Sequence, residues 1–486
     1  MFRHPLVRIS SLVFIALYAA GAGAAEAKRP ITHEDVWLMK RVGAPVPSPD
    51  GRWVVFPVTD PSYDEKTQIA DLWVVPADGS AAPRRLTFSK SGESGVTWSA
   101  DSKRLAFSAK RDGDEMAQIY VMDIEGGGEA VRLTSLVTGA RSPQFSPDGT
   151  RLLFTSNSFP GAKTEEDNKR MAEERKARKY NARVYDGFPI RHWDKWLEDQ
   201  EPHLYVVALT PGASARNLLA GTALVQNPGF GGRRGDTGEE HLDAVWAPDG
   251  QSIVFSASTN RDTAAYAFTS TNLFKVSAQG GEPEQLTAAK SGNGSAALDS
   301  FTRARFSPDG KKLYSQHERR TDRVYNLTRI ASFDWPALGE PLIVTAQLDR
   351  DITSFVVGVD GNVYVLAEHG GHENLYSVPA EGGAPQTVID LQQGVYTNLT
   401  APDGAAGTQL FANWESAVNP AEIVAIDLQK KSHRALTSFN VERAAQIDWL
   451  PPEHFWFTSK RGRRIHNMIV KPPGFDAQKK YPVVSL

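Results

Sequence analysis

Ser146-Pro147-Asp148-Gly149-Thr150-Arg151-Leu152-Leu153-Phe154 contains, in nine residues, the rule by which this chain folds. Proline presets the φ of the first central turn position, aspartate hydrogen-bonds the local backbone, and glycine accepts a positive φ, so the first four residues close a tight turn. The last three then open an apolar strand. The same phrase recurs at Ser48-Pro49-Asp50-Gly51, Ser99-Ala100-Asp101-Ser102, Ala247-Pro248-Asp249-Gly250, Ser307-Pro308-Asp309-Gly310, Gly358-Val359-Asp360-Gly361 and Ala401-Pro402-Asp403-Gly404. Most copies lead into a similar strand: Trp53-Val54-Val55-Phe56, Leu105-Ala106-Phe107 and Ile253-Val254-Phe255.

A second element alternates with the first. An apolar-aromatic pair opens a strand, a Gly-rich turn follows, and the next strand closes, often on Leu-Thr: Leu72-Trp73 to Leu86-Thr87, Ile119-Tyr120 to Leu133-Thr134, Leu273-Phe274 to Leu286-Thr287, and Leu375-Tyr376 to Val388-Ile389. Leu204-Tyr205, Val324-Tyr325 and Ile423-Val424 open the remaining ones. Two hairpins per copy make four strands per copy. The anchors run from Asp50 to Asp403, and with an insertion from 159 to 200 set aside the mean step is about 52 residues. Four-stranded units near that period specify an all-β fold, a seven-bladed β-propeller. A β-sandwich does not repeat one turn seven times, a β-helix repeat is far shorter, and the Gly-His and Trp-Asp marks of WD repeats are missing.

Composition fits one large repeat unit. The 486 residues would suggest three ordinary domains, but repeat architectures fold as one. With 54 Lys plus Arg against 57 Asp plus Glu, a formal charge of -3 offers no basic surface for nucleic acid or an anionic membrane. The absence of cysteine excludes disulfides, thiolate zinc sites and a cysteine nucleophile.

Residues 1–27 read as an export signal. Arg3, His4 and Arg8 precede an apolar run from Leu12 to Ala20 and a small-residue stretch, with cleavage expected after Ala24, Ala25 or Ala27. The run falls short of the ~20 residues that a membrane span needs, so no membrane contact is expected after cleavage. The destination is the periplasm or the exterior. Thr32 and Asp35 then cap a short helix through Val36 to Met39. Within the insertion, Lys163 to Lys179 is charged and helix-prone, and Arg191-His192-Trp193-Asp194-Lys195-Trp196 follows. Composition favours a solvated helix with an edge strand, yet long excursions in compact folds are often functional.

After the last repeat come Phe455-Trp456-Phe457, then Ile465 to Val470, then Lys471-Pro472-Pro473-Gly474-Phe475-Asp476 and Tyr481-Pro482-Val483-Val484. This arrangement resembles the prolyl oligopeptidase family of serine peptidases, and within it the secreted dipeptidyl-peptidase and acylaminoacyl-peptidase branch. The resemblance covers residues 30 to 484. It implies a propeller of the TolB-like, dipeptidyl-peptidase N-terminal type, with Lys471 to Val484 as the opening segment of an α/β-hydrolase domain. The implied division is a signal peptide at 1–27, a propeller at 28–460 with insertion 159–200, and the truncated start of the hydrolase domain at 461–486. The family's His-Gly-Gly-Pro oxyanion loop and Gly-x-Ser-x-Gly elbow, with their Asp and His, do not follow, and no Gly-x-Ser-x-Gly occurs in the sequence. No catalytic residue, cofactor or metal ligand is therefore assigned. His369-Gly370-Gly371 lies in the link between two hairpins of the sixth repeat, and the Gly-broken spacing of His369 and His372 is not that of a helical metal pair.

The resemblance also implies where a short peptide would bind. The insertion Arg191-His192-Trp193-Asp194 resembles that of the dipeptidyl-peptidase members, and Arg191, Trp193, Asp194 and Trp196 are expected to line the entrance that faces the hydrolase domain. The pairs Glu165-Glu166 and Glu173-Glu174 invite comparison with the glutamates that hold a substrate's amino terminus there, and of these Glu173 and Glu174 are the candidates kept. Their Lys/Arg-rich surroundings favour a solvated salt-bridge role instead. Two functions follow: the propeller of an exported serine exopeptidase that gates access of short peptides to a hydrolase domain, or a non-catalytic TolB-like periplasmic binding propeller.

Overall fold

In a computed structural model the described residues are 28–485 without 125–128, 181, 186, 211, 236–237, 288–297, 322–324 and 404–408. The expected signal peptide, with Val324 and Gly404 of the repeats, lies outside them. In four of the seven copies the repeated phrase closes its hairpin with one set of bonds. Ser48, Ser99, Ser146 and Ser307 donate their hydroxyls to the aspartate two residues on, at 2.5–2.6 Å. Each hydroxyl also accepts the backbone N–H five residues on, at 2.9–3.0 Å. The aspartate accepts the N–H two residues beyond itself, at 3.0–3.1 Å in these four turns. Donation from Ser146, Thr150 N and the Thr150 hydroxyl holds Asp148 down to about 2. The glycines Gly51, Gly149, Gly250 and Gly310 stand at φ 64–70°, and Ser102 takes the same place at φ 60°.

The Leu-Thr endings have their own purpose. The hydroxyls of Thr87, Thr134, Thr287 and Thr437 each accept a third-strand N–H, from Leu72, Ile119, Leu273 and Ile423, at 2.9 Å. They donate onward to the carboxylate or amide of Glu93, Gln118, Asn272 and Glu422. A buried threonine thus clamps a fourth strand that is as short as two residues, as in Arg84–Arg85 and Val131–Arg132.

The chain is mostly β, laid out as seven successive antiparallel meanders over residues 41–85, 93–132, 141–217, 230–285, 298–343, 352–389 and 395–435. The sixth and seventh are joined by one parallel pairing, Glu373 with Val395. Side chains alternate across a strand, so each meander offers two apolar faces. Val54, Phe56 and Val58 pack with Phe411, Ile423 and Ala425 of the seventh meander, while Val55 packs with Leu105 and Phe107 of the second. The pattern continues: each of seven apolar clusters joins one meander to the next, and the last joins the seventh to the first.

Polar bonds close the same seam. Asn413 donates to the carbonyls of Val42 and Gly43, both at 3.1 Å. Asn440 accepts from Lys40 N at 2.8 Å and donates to Lys40 O at 2.9 Å. The helix α1 (His33–Leu38) starts at Thr32 in the capping box that the sequence suggests. Its buried Asp35 receives both Arg29 and, at 3.2 Å, Arg443 of α3 (Val441–Ala445). Arg29 holds the Asp35 carboxyl far below the usual range.

Neighbouring turns touch one another, Asp50 N with Ser102 Oγ at 3.0 Å and Arg151 with Gly250 O at 2.6 Å. All the meanders therefore stand the same way up, with these turns at one end. By antiparallel order the second-to-third-strand connections lie at the other. The innermost strands bulge, with left-handed residues at Gly95, Ser142, Arg303 and Asn398.

Ser102 tests this account. A side chain at φ 60° costs about 1 kcal/mol, while the hydrogen bond that the buried hydroxyl accepts from Asp50 N returns about as much. Ser102→Gly loses both terms and is expected to unfold within about 1 kcal/mol of the parent. Ser102→Ala keeps the strain without the bond and should be less stable than the glycine variant by about 1 kcal/mol in urea. Equal midpoints for the two variants would refute the left-handed assignment.

Candidate functional site

The second strand of the third meander ends at Ser158, paired directly with Glu201 at the start of the third strand. Residues 159 to 200 therefore leave and re-enter the sheet at one point, at the end away from the Ser-Pro-Asp-Gly turns. Helix α2 (Glu165–Lys176) begins at Thr164 in a capping box with Asp167. It is tied down: Glu165 accepts Val137 N at 2.7 Å, and buried Asn168 accepts Phe159 N at 3.0 Å. Arg175 pairs with Asp199 at 2.7 Å and Lys176 reaches Glu115 of the second meander at 2.8 Å. Glu173 and Glu174 lie exposed on this helix, Glu174 paired with Arg170 at 3.0 Å one turn away. That is the solvated arrangement composition favours.

Arg191–His192 and Lys195–Trp196 form a hairpin whose turn is Trp193-Asp194. Arg191, Trp193 and Asp194 line one open concavity with Phe188 and Ile190. Trp196 stands opposite Arg191 in register and leans on Tyr185, ring centres 6.3 Å apart, and neither it nor the two glutamates line the concavity. Trp193 is 83% exposed at φ 51°, an apolar ring held in an unfavourable backbone conformation. The positive φ belongs to the two-residue turn of the hairpin, and it leaves the ring in solvent.

A second group lies beside it, assembled from residues that share no sequence period. His192 approaches Gly238 so closely that a Cβ there would meet its Cδ2 at 3.4 Å. Gly238 belongs to a hairpin of the fourth meander, Arg233–Arg234 with Glu240–His241. Glu240 accepts Arg234 at 2.6 Å, Arg261 at 2.5 Å and Gly232 N at 3.0 Å. Arg141 donates to Glu240 O at 3.2 Å and Asn157 at 2.9 Å. The Nε atoms of Arg141 and Arg261, and His192 Nε2, are buried without a hydrogen-bond partner among the described residues. Such groups are costly unless something meets them. Among the described residues no group of three or more His, Asp or Glu is arranged to hold a metal ion, and no helix is long and apolar enough to cross a membrane.

No protein-family model matches the sequence. Dipeptidyl-peptidase 5 of Porphyromonas gingivalis is 27% identical over 461 residues, 93% of this chain and 62% of that protein. The acylaminoacyl peptidase of Pyrococcus horikoshii superposes with a TM-score of 0.63 at 18% identity, over 91% of this chain and 60% of that one. The β-propeller domain of the Trilobed protease from Pyrococcus furiosus superposes with a TM-score of 0.52 at 14% identity, over 83% of this chain and 97% of that domain. These structures show a propeller fold. The chain spans about three fifths of the length of the dipeptidyl-peptidase it matches.

Glu201 gives the site a titration. Burial, with Glu240 and Asp199 nearby and Arg261 opposing, pushes its carboxyl up to about 7. A raised carboxyl binds its proton more tightly folded than unfolded, so stability falls as pH rises from the unfolded value near 4.5 to about 7. Glu201→Gln removes that fall. The variant should match the parent at pH 4.5 and exceed it at pH 8 by about 1–2 kcal/mol after screening. Parallel urea curves at the two pH values check this, and an unchanged difference between them contradicts it.

Proposed function

The chain belongs to the prolyl oligopeptidase family of serine peptidases, and on that premise we propose that its seven meanders are the blades of a propeller serving an exported exopeptidase. The enzyme is of the dipeptidyl-peptidase or acylaminoacyl-peptidase type and hydrolyses short peptides. Its hydrolase domain, with the serine elbow absent from these 486 residues, stacks on the end of the ring that carries the insertion. The propeller gates access to that domain, and the seam held by Asp35, Asn413 and Asn440 resists opening of the ring.

The C-terminal hairpin is the observation that carries this reading. Glu453–Thr458 pairs with Arg464–Ile469, and both strands are largely exposed. Phe455, Trp456 and Phe457 are 46–48% exposed, and Val483 and Val484 more than 80%. An isolated two-stranded ribbon is marginal in water, and one that is apolar on both faces needs cover. A free-standing binding propeller has no use for such a ribbon, whereas a hydrolase domain continuing from Lys471 to Val484 would bury it. We propose a domain boundary ahead of Glu453, a reading supported by Glu453–Thr458 pairing with Arg464–Ile469 and with none of the meanders among the described residues.

The 486-residue chain is expected to show no turnover of dipeptidyl or acylaminoacyl p-nitroanilides, and a form extended through the downstream reading frame to show it. Ending the chain near 450 should leave thermal unfolding unchanged and reduce aggregation. In the extended enzyme, Trp193→Ala should raise KM for dipeptide substrates roughly tenfold with kcat little changed. An inactive extended form, or turnover by the 486-residue chain alone, would sink the proposal.

A further inference from the structure

A separate cavity of about 410 Å³ lies at the turn end of the ring, across the innermost strands of the fifth, sixth and seventh meanders. It is on the opposite end from the insertion. Its walls include Arg303, Arg305, Ser354, Phe355, Thr400 and Asp403. Arg303 sits at φ 52° where the register of its strand shifts between Thr302 and Arg305. The same bulge stands at Gly95, Ser142 and Asn398 in other innermost strands, and only here does it carry a long cationic side chain.

The two arginines are poorly satisfied. Arg303 donates Nη1 to Thr353 O at 3.3 Å, and Arg305 donates Nη1 to Ala304 O at 3.1 Å. A guanidinium carries five N–H donors in a rigid fork. Neither joins an ion pair among the described residues; Asp403, the one carboxylate lining the cavity, is attracted by Arg305 without forming an ion pair with it. Burial first, and then Arg233 and Arg305, hold the Arg303 guanidinium below its ordinary pKa, with Asp243 offsetting part of this. Like charges are thus crowded into a concave, partly apolar site of a protein whose formal charge is -3. That arrangement is stabilised by an anion that accepts both forks, and carboxylates match the fork geometry.

We propose that Arg303 and Arg305 form a carboxylate-binding site at the turn-end mouth of the channel, taking a short peptide through its terminal or side-chain carboxylate. Ser354 and Thr400 supply hydroxyls beside the carboxylate, and Phe355 packs the apolar part of the ligand. The volume suits a di- or tripeptide. The assignment stands apart from the peptidase reading, because it requires binding and no turnover.

Calorimetry on the 486-residue chain with succinyl-Ala-Ala-amide, acetyl-Ala-Ala-amide and inorganic phosphate tests it. The succinyl probe is expected to bind at least tenfold more tightly than the acetyl probe, and to weaken as salt is raised. Arg305→Gln, at an exposed position, should lower affinity for the succinyl probe roughly tenfold, and Arg305→Lys should restore part of it. Arg303→Gln should do the same where circular dichroism shows it folded. Equal binding of the two peptides, or full affinity in a folded glutamine variant, overturns the site. Phosphate binding as tightly as the succinyl probe and displacing it overturns the peptide assignment.

Discussion

Each meander has two apolar faces and no means of burying either alone. Leu152 and Phe154 face one neighbour and Leu153 the other, and every side chain of that strip is buried. A stack of such sheets that stopped at the seventh would leave one face bare at each end, some hundreds of Å² of apolar surface at about 25 cal/mol per Å². Curving the stack until Phe411 meets Phe56 removes both bare faces at once. The turn bonds, threonine clamps and bulges all serve this requirement: they hold each sheet in register while its faces are committed to two different partners.

The closing seam differs from the other six in one respect. Its sheets are not consecutive in sequence, so no short connection keeps them together, and closing the loop carries an entropic cost that neighbours do not meet. The polar bonds concentrate there. Asp35, with Arg29 and Arg443, and Asn440, with both backbone groups of Lys40, join residues some 400 positions apart. A buried carboxylate between two guanidiniums is strong only while both partners stay, which makes the seam a specific latch rather than a general adhesive.

This division explains what the sequence made legible. The turn phrases and Leu-Thr endings are local devices: Ser146 bonds Asp148 two residues away, and Thr134 bonds Ile119 in the adjacent strand. Local devices repeat, and repetition is visible. The insertion was visible for the converse reason, since Glu165 to Lys176 interrupts the period with a helical pattern. Of its proposed contact residues, Arg191, Trp193 and Asp194 converge on one concavity, while Trp196 turns to Tyr185 and the glutamate pair stays on a solvated helix. The cluster around Glu240 was hidden because its members come from residues 141, 201, 234, 240 and 261 and share no spacing. Arg303 was hidden differently: in sequence it is one residue of an ordinary strand, and only the register shift beside it gives it a left-handed backbone.

The two ends of the ring are chemically unlike, and the meander dictates why. At the turn end the connections are four-residue phrases fixed by their own bonds, so they can change little without losing the hairpin. Variation there has to come from the inner strands, and it does so through bulges that expose Arg303 and Arg305 beside a cavity. At the other end the second-to-third-strand links carry no such bonds and are free to grow. Residues 159 to 200, and the exposed rings of Trp193, Tyr266 and Tyr325, all arise from links at that end. A surface assembled from long links and exposed aromatics is suited to meeting another folded body, and a compact cationic mouth is suited to a small anionic one. The same antiparallel order that joins the seventh meander to the first therefore separates an end of long links and exposed aromatics from an end with a compact cationic cavity.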